Sequence, residues 1–122
     1  MEGILKEPYE LSLWEKHPGG EETFIMLIGS NTMTSPYKAQ NVSVKTKVNT
    51  EKILTFTLYS RYFDNEIGEF RNNPFCDFLH NECLLKLHRG NIPEKGWTEY
   101  IIKDIKENSG NKTFTYTAKD AF

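Results

Sequence analysis

Asn73-Pro74-Phe75-Cys76-Asp77-Phe78-Leu79-His80, then Cys83-Leu84-Leu85-Lys86-Leu87-His88, then Trp97 to Lys106, then Thr113-Phe114-Thr115-Tyr116-Thr117: this succession decides the fold. Asn73 is a good N-cap and Pro74 suits the first helical position. Phe75, Phe78 and Leu79 fall at i, i+3 and i+4, so the spacing predicts one short amphipathic helix over about residues 74–81. Cys83, Leu85 and Leu87 then alternate with Lys86 and His88, which is the period of a strand. Trp97 to Lys106 is a strand of mixed character. Asn108-Ser109-Gly110-Asn111 turns it into a last strand with Phe114 and Tyr116 inward and the threonines outward. A hairpin ladder interrupted by one short helix implies a mainly β fold, a small antiparallel β-barrel or rolled sheet whose open end the helix plugs.

The residues before Asn73 agree. Leu54, Phe56 and Leu58 alternate with Thr55, Thr57 and Tyr59, the clearest strand in the chain. It continues to Phe63 and meets Asp64-Asn65-Glu66-Ile67-Gly68, a turn with a glycine suited to positive φ, before Glu69-Phe70-Arg71 returns. Val42, Val44 and Val48 alternate with polar residues, and Asn49-Thr50-Glu51-Lys52 reads as a hairpin loop. Tyr9, Leu11 and Leu13 share one face of a first strand, with Glu10, Ser12 and Trp14 on the other. His17-Pro18-Gly19-Gly20 breaks it. Thr23 to Ile28 is a continuous apolar run, expected as a strand buried on both faces. Gly29 to Pro36 is a polar loop with Met33 inside it and Tyr37 just after. Arg89 to Gly96 is a second hairpin-type loop.

Composition narrows the function. The 122 residues suit a single domain spanning 1–122, with 38% hydrophobic and 13% aromatic side chains to fill a small core. Fifteen basic and 17 acidic side chains leave a net charge of −2, so no global field draws in nucleic acid or an anionic membrane. No apolar run approaches the roughly 18 residues of a membrane helix. Met1 to Pro8 lacks the layout of a signal peptide. Cys76 and Cys83 are too few for a disulfide scaffold, which favours a reduced protein, and without a secretion signal the acceptor patterns at Asn41 and Asn111 read as chance matches.

Cys76, His80, Cys83 and His88 have the residue types of a zinc site. Their spacing opposes one: Cys83 and His88 lie five apart, on opposite faces of a regular strand, and no paired cysteine knuckle is present. No nucleophile elbow exists, and Asp64, Glu66 and Glu69 have the look of a solvated hairpin tip, so no catalytic residue, cofactor or metal is expected and the chain does not read as an enzyme. A runner-up is a carbohydrate- or single-stranded nucleic-acid-binding barrel, with Trp14, Tyr59, Tyr62 and Trp97 as a stacking platform and Lys45, Lys47 and Arg61 as its charge.

Several stretches together carry a family likeness. They are Leu54-Thr55-Phe56-Thr57-Leu58, Asn73-Pro74-Phe75, Asn81-Glu82, Tyr100 to Glu107 and Thr113 to Asp120, preceded by Leu5 to Glu15 and Ile28 to Pro36. In these the chain resembles the N-terminal hub domain of phage tail-associated baseplate proteins, the prophage tail endopeptidase family. The resemblance implies a barrel arranged in a ring about the tail axis, contacting itself and neighbouring tail proteins in a virion assembled in the bacterial cytoplasm. Relatives of that kind continue into further hub domains and enzymatic or receptor-binding tails, so the chain is expected as a short version or as the N-terminal part of a longer architecture. Their peptidase activity does not carry over, because no catalytic residues stand here. The expected function is that of a virion structural protein acting by subunit packing, with Trp14, Met33, Tyr37 and Phe122 as partner contacts.

Overall fold

A computed structural model describes residues 4–5, 8–46, 51–90 and 97–120. Phe122, Val48, Lys47, Asn49, Thr50 and the Asn91–Gly96 part of the second loop lie outside the described residues. Among those described, the strands are β1 (Tyr9–Lys16), β2 (Glu22–Ser30), β3 (Gln40–Thr46), β4 (Lys52–Tyr59), β5 (Arg61–Asp64), β6 (Glu69–Asn72), β7 (Leu84–Arg89), β8 (Trp97–Asn108) and β9 (Thr113–Asp120). Seven of them form one antiparallel sheet in the order β2-β1-β7-β8-β9-β4-β3, and β5 and β6 make a separate hairpin.

Alternation builds the core. Residues directly opposite in an antiparallel pair share a face, so inward side chains line up in rows across the sheet. Leu13 faces Leu85, which faces Tyr100, and Ile102 faces Ala118, which faces Leu54. Phe56 lies opposite Tyr116, and their rings stack at 5.0 Å and 9°. All eight of these side chains are buried in a single cluster. Bulges keep the rows in phase. In β8 the register shifts between Ile102 and Asp104, making Lys103 the extra residue and returning Ile105 to the core side opposite Tyr116. That shift explains the mixed character of the strand: Tyr100, Ile102 and Ile105 cannot share a face at period two.

The amide of Ala39, the residue before β3, donates to the Ile28 carbonyl on β2 at 2.8 Å, which brings the two end strands of the sheet close together. Gly29 permits the approach, since a Cβ there would stand 3.0 Å from the Ala39 Cβ. Leu5 donates to the Val42 carbonyl on β3 and Ile4 bridges Ser43, while Tyr9 opens β1, so the start of the chain ties the two ends of the sheet.

Two expectations need correction. The helix over about 74–81 is a 3-10 turn, Pro74–Asp77 (η1), which has three residues per turn and no room for the longer apolar face. Phe75 and Leu79 still plug the core, but Phe78 is left exposed. The Thr23–Ile28 run is not buried on both faces. It lies in β2 at the end of the sheet, with Phe24 at 52% exposure and only Ile28 fully buried. An edge strand has a neighbour on one side alone, so its apolar residues are not all covered.

Asn73 is the junction of the loops. Its side chain is 1% exposed. Its Oδ1 accepts from the Phe75 amide at 2.8 Å, capping η1 as expected, and its Nδ2 donates to the carbonyls of Tyr37 (3.0 Å) and Tyr59 (2.8 Å). Asn73→Ala is expected to cost about 2–4 kcal/mol in urea unfolding, a lost cap plus buried carbonyls left unpaired. Asn73→Asp, which keeps the cap but turns an acceptor toward two carbonyls, should cost at least as much.

Burial, then the Asp120 carboxylate, push the Tyr100 phenol up to about 12, against the opposing Arg89 charge. Burial likewise raises Tyr116, with a smaller contribution from Cys76. Both folded values lie above the unfolded 10.0, so the unfolded chain loses its protons first. Stability should be intact below pH 10 and fall as pH rises towards 12. Thermal melts across that window check this, and the double variant Tyr100→Phe/Tyr116→Phe should flatten the decline.

Candidate functional site

The outer face of the sheet carries a second apolar row. Phe24 lies opposite Trp14, Trp14 opposite Leu84, and Leu84 opposite Ile101, so these four residues cross β2, β1, β7 and β8 on one face. The row stops at Lys119, the partner of Ile101 on β9. A register shift in β1–β2 between Leu13 and Trp14 makes Ile25 a bulge residue beside the row, and Ile25 is exposed. Phe78, just past η1, stands over the same region. The result is an open groove of about 490 Å³ lined by Leu13, Trp14, Ile25, Phe78, Leu84 and Ile101, with Lys16, His80 and Glu82 at its rim.

Trp14 is fixed in this groove. Its indole Nε1 donates to Ser12 Oγ at 2.9 Å, and its ring meets Phe24 edge-on at 5.6 Å. Lys86 Nζ sits 4.1 Å above the ring while pairing with Glu22 at 2.7 Å and Glu99 at 3.6 Å. A cation on one face of the indole and a carboxylate on each side of that cation hold the ring in one orientation.

A second apolar surface lies outside the main sheet. On the β5–β6 hairpin, Phe63 faces Phe70 with ring centroids 5.2 Å apart, and Arg61 lies 5.5 Å from the Phe70 centroid. Phe63, Ile67 and Phe70 are all exposed, Phe70 at 58%. The tip is tightly turned: Asp64 Oδ1 accepts from the Glu66 amide at 2.9 Å, and Gly68 adopts φ +68. Left-handed φ at this position suits glycine, as the sequence implied.

The expected contact residues fall into two groups. Trp14 belongs to the groove. Tyr37 and Met33 pack against the chain itself: Tyr37 lies between Phe75 at 5.0 Å and Tyr62 at 4.8 Å, and Met33 is half-buried against the core. The residues of this surface missed in the sequence are Ile25 and Phe78, which line the groove, and Phe24, which packs on Trp14 beside it. The signal was present in the length of the apolar run, but only strand order shows that it sits at an edge. The expected stacking platform does not assemble: Trp14 lies in the groove, Tyr62 under Tyr37, Trp97 against His88 at 4.9 Å, and Tyr59 on the outer face of β4.

Cys76, His80, Cys83 and His88 do not gather, and among the described residues no three His, Cys, Asp or Glu groups are placed to share a metal ion. Cys76 and Cys83 are free thiols. The Cys83 thiol donates to the Phe78 carbonyl at 3.6 Å and accepts from the His80 amide at 3.5 Å, so it braces the turn after η1. Among the described residues no helix is long and apolar enough to cross a membrane. Burial raises both thiols above their ordinary value, against an opposing bond from Tyr116 at Cys76 and from the His80 backbone at Cys83. Iodoacetamide should therefore alkylate both more slowly at neutral pH than it alkylates the unfolded chain in urea, as followed by intact mass.

Comparison with protein-family models, with curated proteins and with solved structures returns no match to the chain.

Proposed function

We propose that the chain is a virion structural protein of a phage tail or baseplate hub, acting by packing against copies of itself and neighbouring tail proteins. The observation that carries this reading is the presence of two separate exposed apolar surfaces, the Trp14–Ile25–Phe78 groove and the Phe63–Ile67–Phe70 hairpin. A chain with two different sticky surfaces makes head-to-tail contacts, and such contacts close into rings when the rotation between copies permits. In this reading the rolled sheet works as a closed barrel, and the hairpin of one copy fills the groove of the next. Both surfaces combine aromatic anchors with a charged rim, the composition of interface cores. The family likeness of Leu54–Leu58, Asn73–Phe75 and Thr113–Asp120 supports placing that ring in a tail assembled in a bacterial host.

Sedimentation equilibrium over a concentration series tests the packing. A ring-sized oligomer is expected, and Ile25→Asp or Phe70→Asp should each weaken association at least about tenfold, about 1.4 kcal/mol, without changing the melt. Both positions are exposed, so folding should survive. A monomer at every concentration that also fails to assemble with the products of adjacent reading frames would overturn the reading.

A further inference from the structure

Farther across the same outer face, β4 and β9 present a very different surface. Thr55 faces Thr117, Thr57 faces Thr115, and Tyr59 faces Thr113, which in turn faces Asn108 on β8. Around this ladder lies an open cup of about 480 Å³ lined by Asn41, Thr57, Tyr59, Asn108, Thr113 and Thr115, with Asn111 at its lip. None of these side chains is charged at neutral pH. They supply three carboxamides, three hydroxyls and one phenol, each carboxamide both donor and acceptor.

The cup is preorganised. Asn108 Nδ2 donates to Thr115 Oγ1 at 3.0 Å and to Thr113 Oγ1 at 3.3 Å. Each threonine oxygen therefore accepts from the amide and keeps its own proton to donate elsewhere. Among the described residues, Asn108 Oδ1 has no hydrogen-bond partner. The turn is clamped from below, since the Ser60 amide and hydroxyl both donate to the Lys112 carbonyl at 2.9 Å. On the opposite wall, Asn41 occupies the bulge of β3 at φ +52, a conformation that asparagine tolerates better than most residues. The Tyr59 ring, 48% exposed, stands at the edge.

We propose that this cup is a binding site for a neutral saccharide. Carboxamides and hydroxyls exchange donor and acceptor bonds with vicinal sugar hydroxyls, and an exposed aromatic ring takes the apolar C–H face of a pyranose. The uncharged lining favours that ligand over a phosphate, a nucleic acid or a metal ion, which ionised groups hold more strongly. Of the strands that line it, only β8, which carries Ile101 of the groove and ends at Asn108, is shared with an apolar surface.

Two-dimensional NMR of the full chain tests it, with lactose, maltotriose and triacetylchitotriose each added to about 10 mM, the range in which weak sugar sites fill. At least one should shift the Asn41 and Asn108 side-chain amides and the Tyr59 backbone amide. Tyr59→Ala should then weaken binding about tenfold while Tyr59→Phe retains it, and Thr115→Val, which removes one hydroxyl, should weaken it severalfold. The spectra themselves report whether each variant is folded. No shift with any of the three sugars, shifts that map elsewhere, shifts unchanged in Tyr59→Ala, or stronger binding of a sulfated disaccharide or oligothymidine at these residues would each overturn the proposal.

Discussion

The main sheet has one fully apolar face and almost no helix to lay against it. A layer of sheet must bury its apolar face on something, and where no second layer is supplied it has only itself. Here the inward side chains of the sheet gather into one cluster. Leu11, Leu13, Leu54, Phe56, Leu85, Leu87, Tyr100, Ile102 and Tyr116 come from strands spread along the chain yet fall in one buried cluster. The Ala39–Ile28 hydrogen bond, the absence of a side chain at Gly29 and the reach of residues 4–5 onto β3 bring the two end strands near each other.

Bulges bend the strands of this sheet and sharpen its twist. The register shifts in β1–β2, β3–β4 and β8–β9 each insert an extra residue, bend the strand and turn neighbouring side chains to new directions. In β8 the insertion rescues Ile105 for the core. In β2 it leaves Ile25 outside, beside Phe24, and in β3 it places Asn41 in a left-handed conformation at the wall of the polar cup. The same device that keeps the core rows in phase therefore shapes both outer sites. Asn73 completes the frame by bonding the Tyr37 loop, the end of β4 and η1 through one buried carboxamide.

The outer face is divided by chemistry. Over β1, β2 and β7 it is aromatic and aliphatic, with Lys86 and its two carboxylates arranged about Trp14. Over β4 and β9 it is a threonine ladder with carboxamides at its margin. The first surface suits a protein neighbour because aromatic anchors gain most when water is excluded from them. The second suits a small neutral polyol because its bonds are directional and carry no charge.

Local chemistry is what the sequence reports best. The inward set of β4, the cap at Asn73, the turn at Gly68 and the alternation of β7 were all legible, because strand period, capping and left-handed turns depend on residues adjacent in the chain. The extent of η1, the exposure of Phe24 and Phe78, and the gathering of Asn41, Asn108 and Thr115 were not. A bulge changes a strand's phase without changing its composition, and whether an apolar run lies at the centre or the edge of a sheet depends on strand order. Strand order joins β1 to β7 and β4 to β9, pairs far apart in the chain, and only the packed sheet decides it.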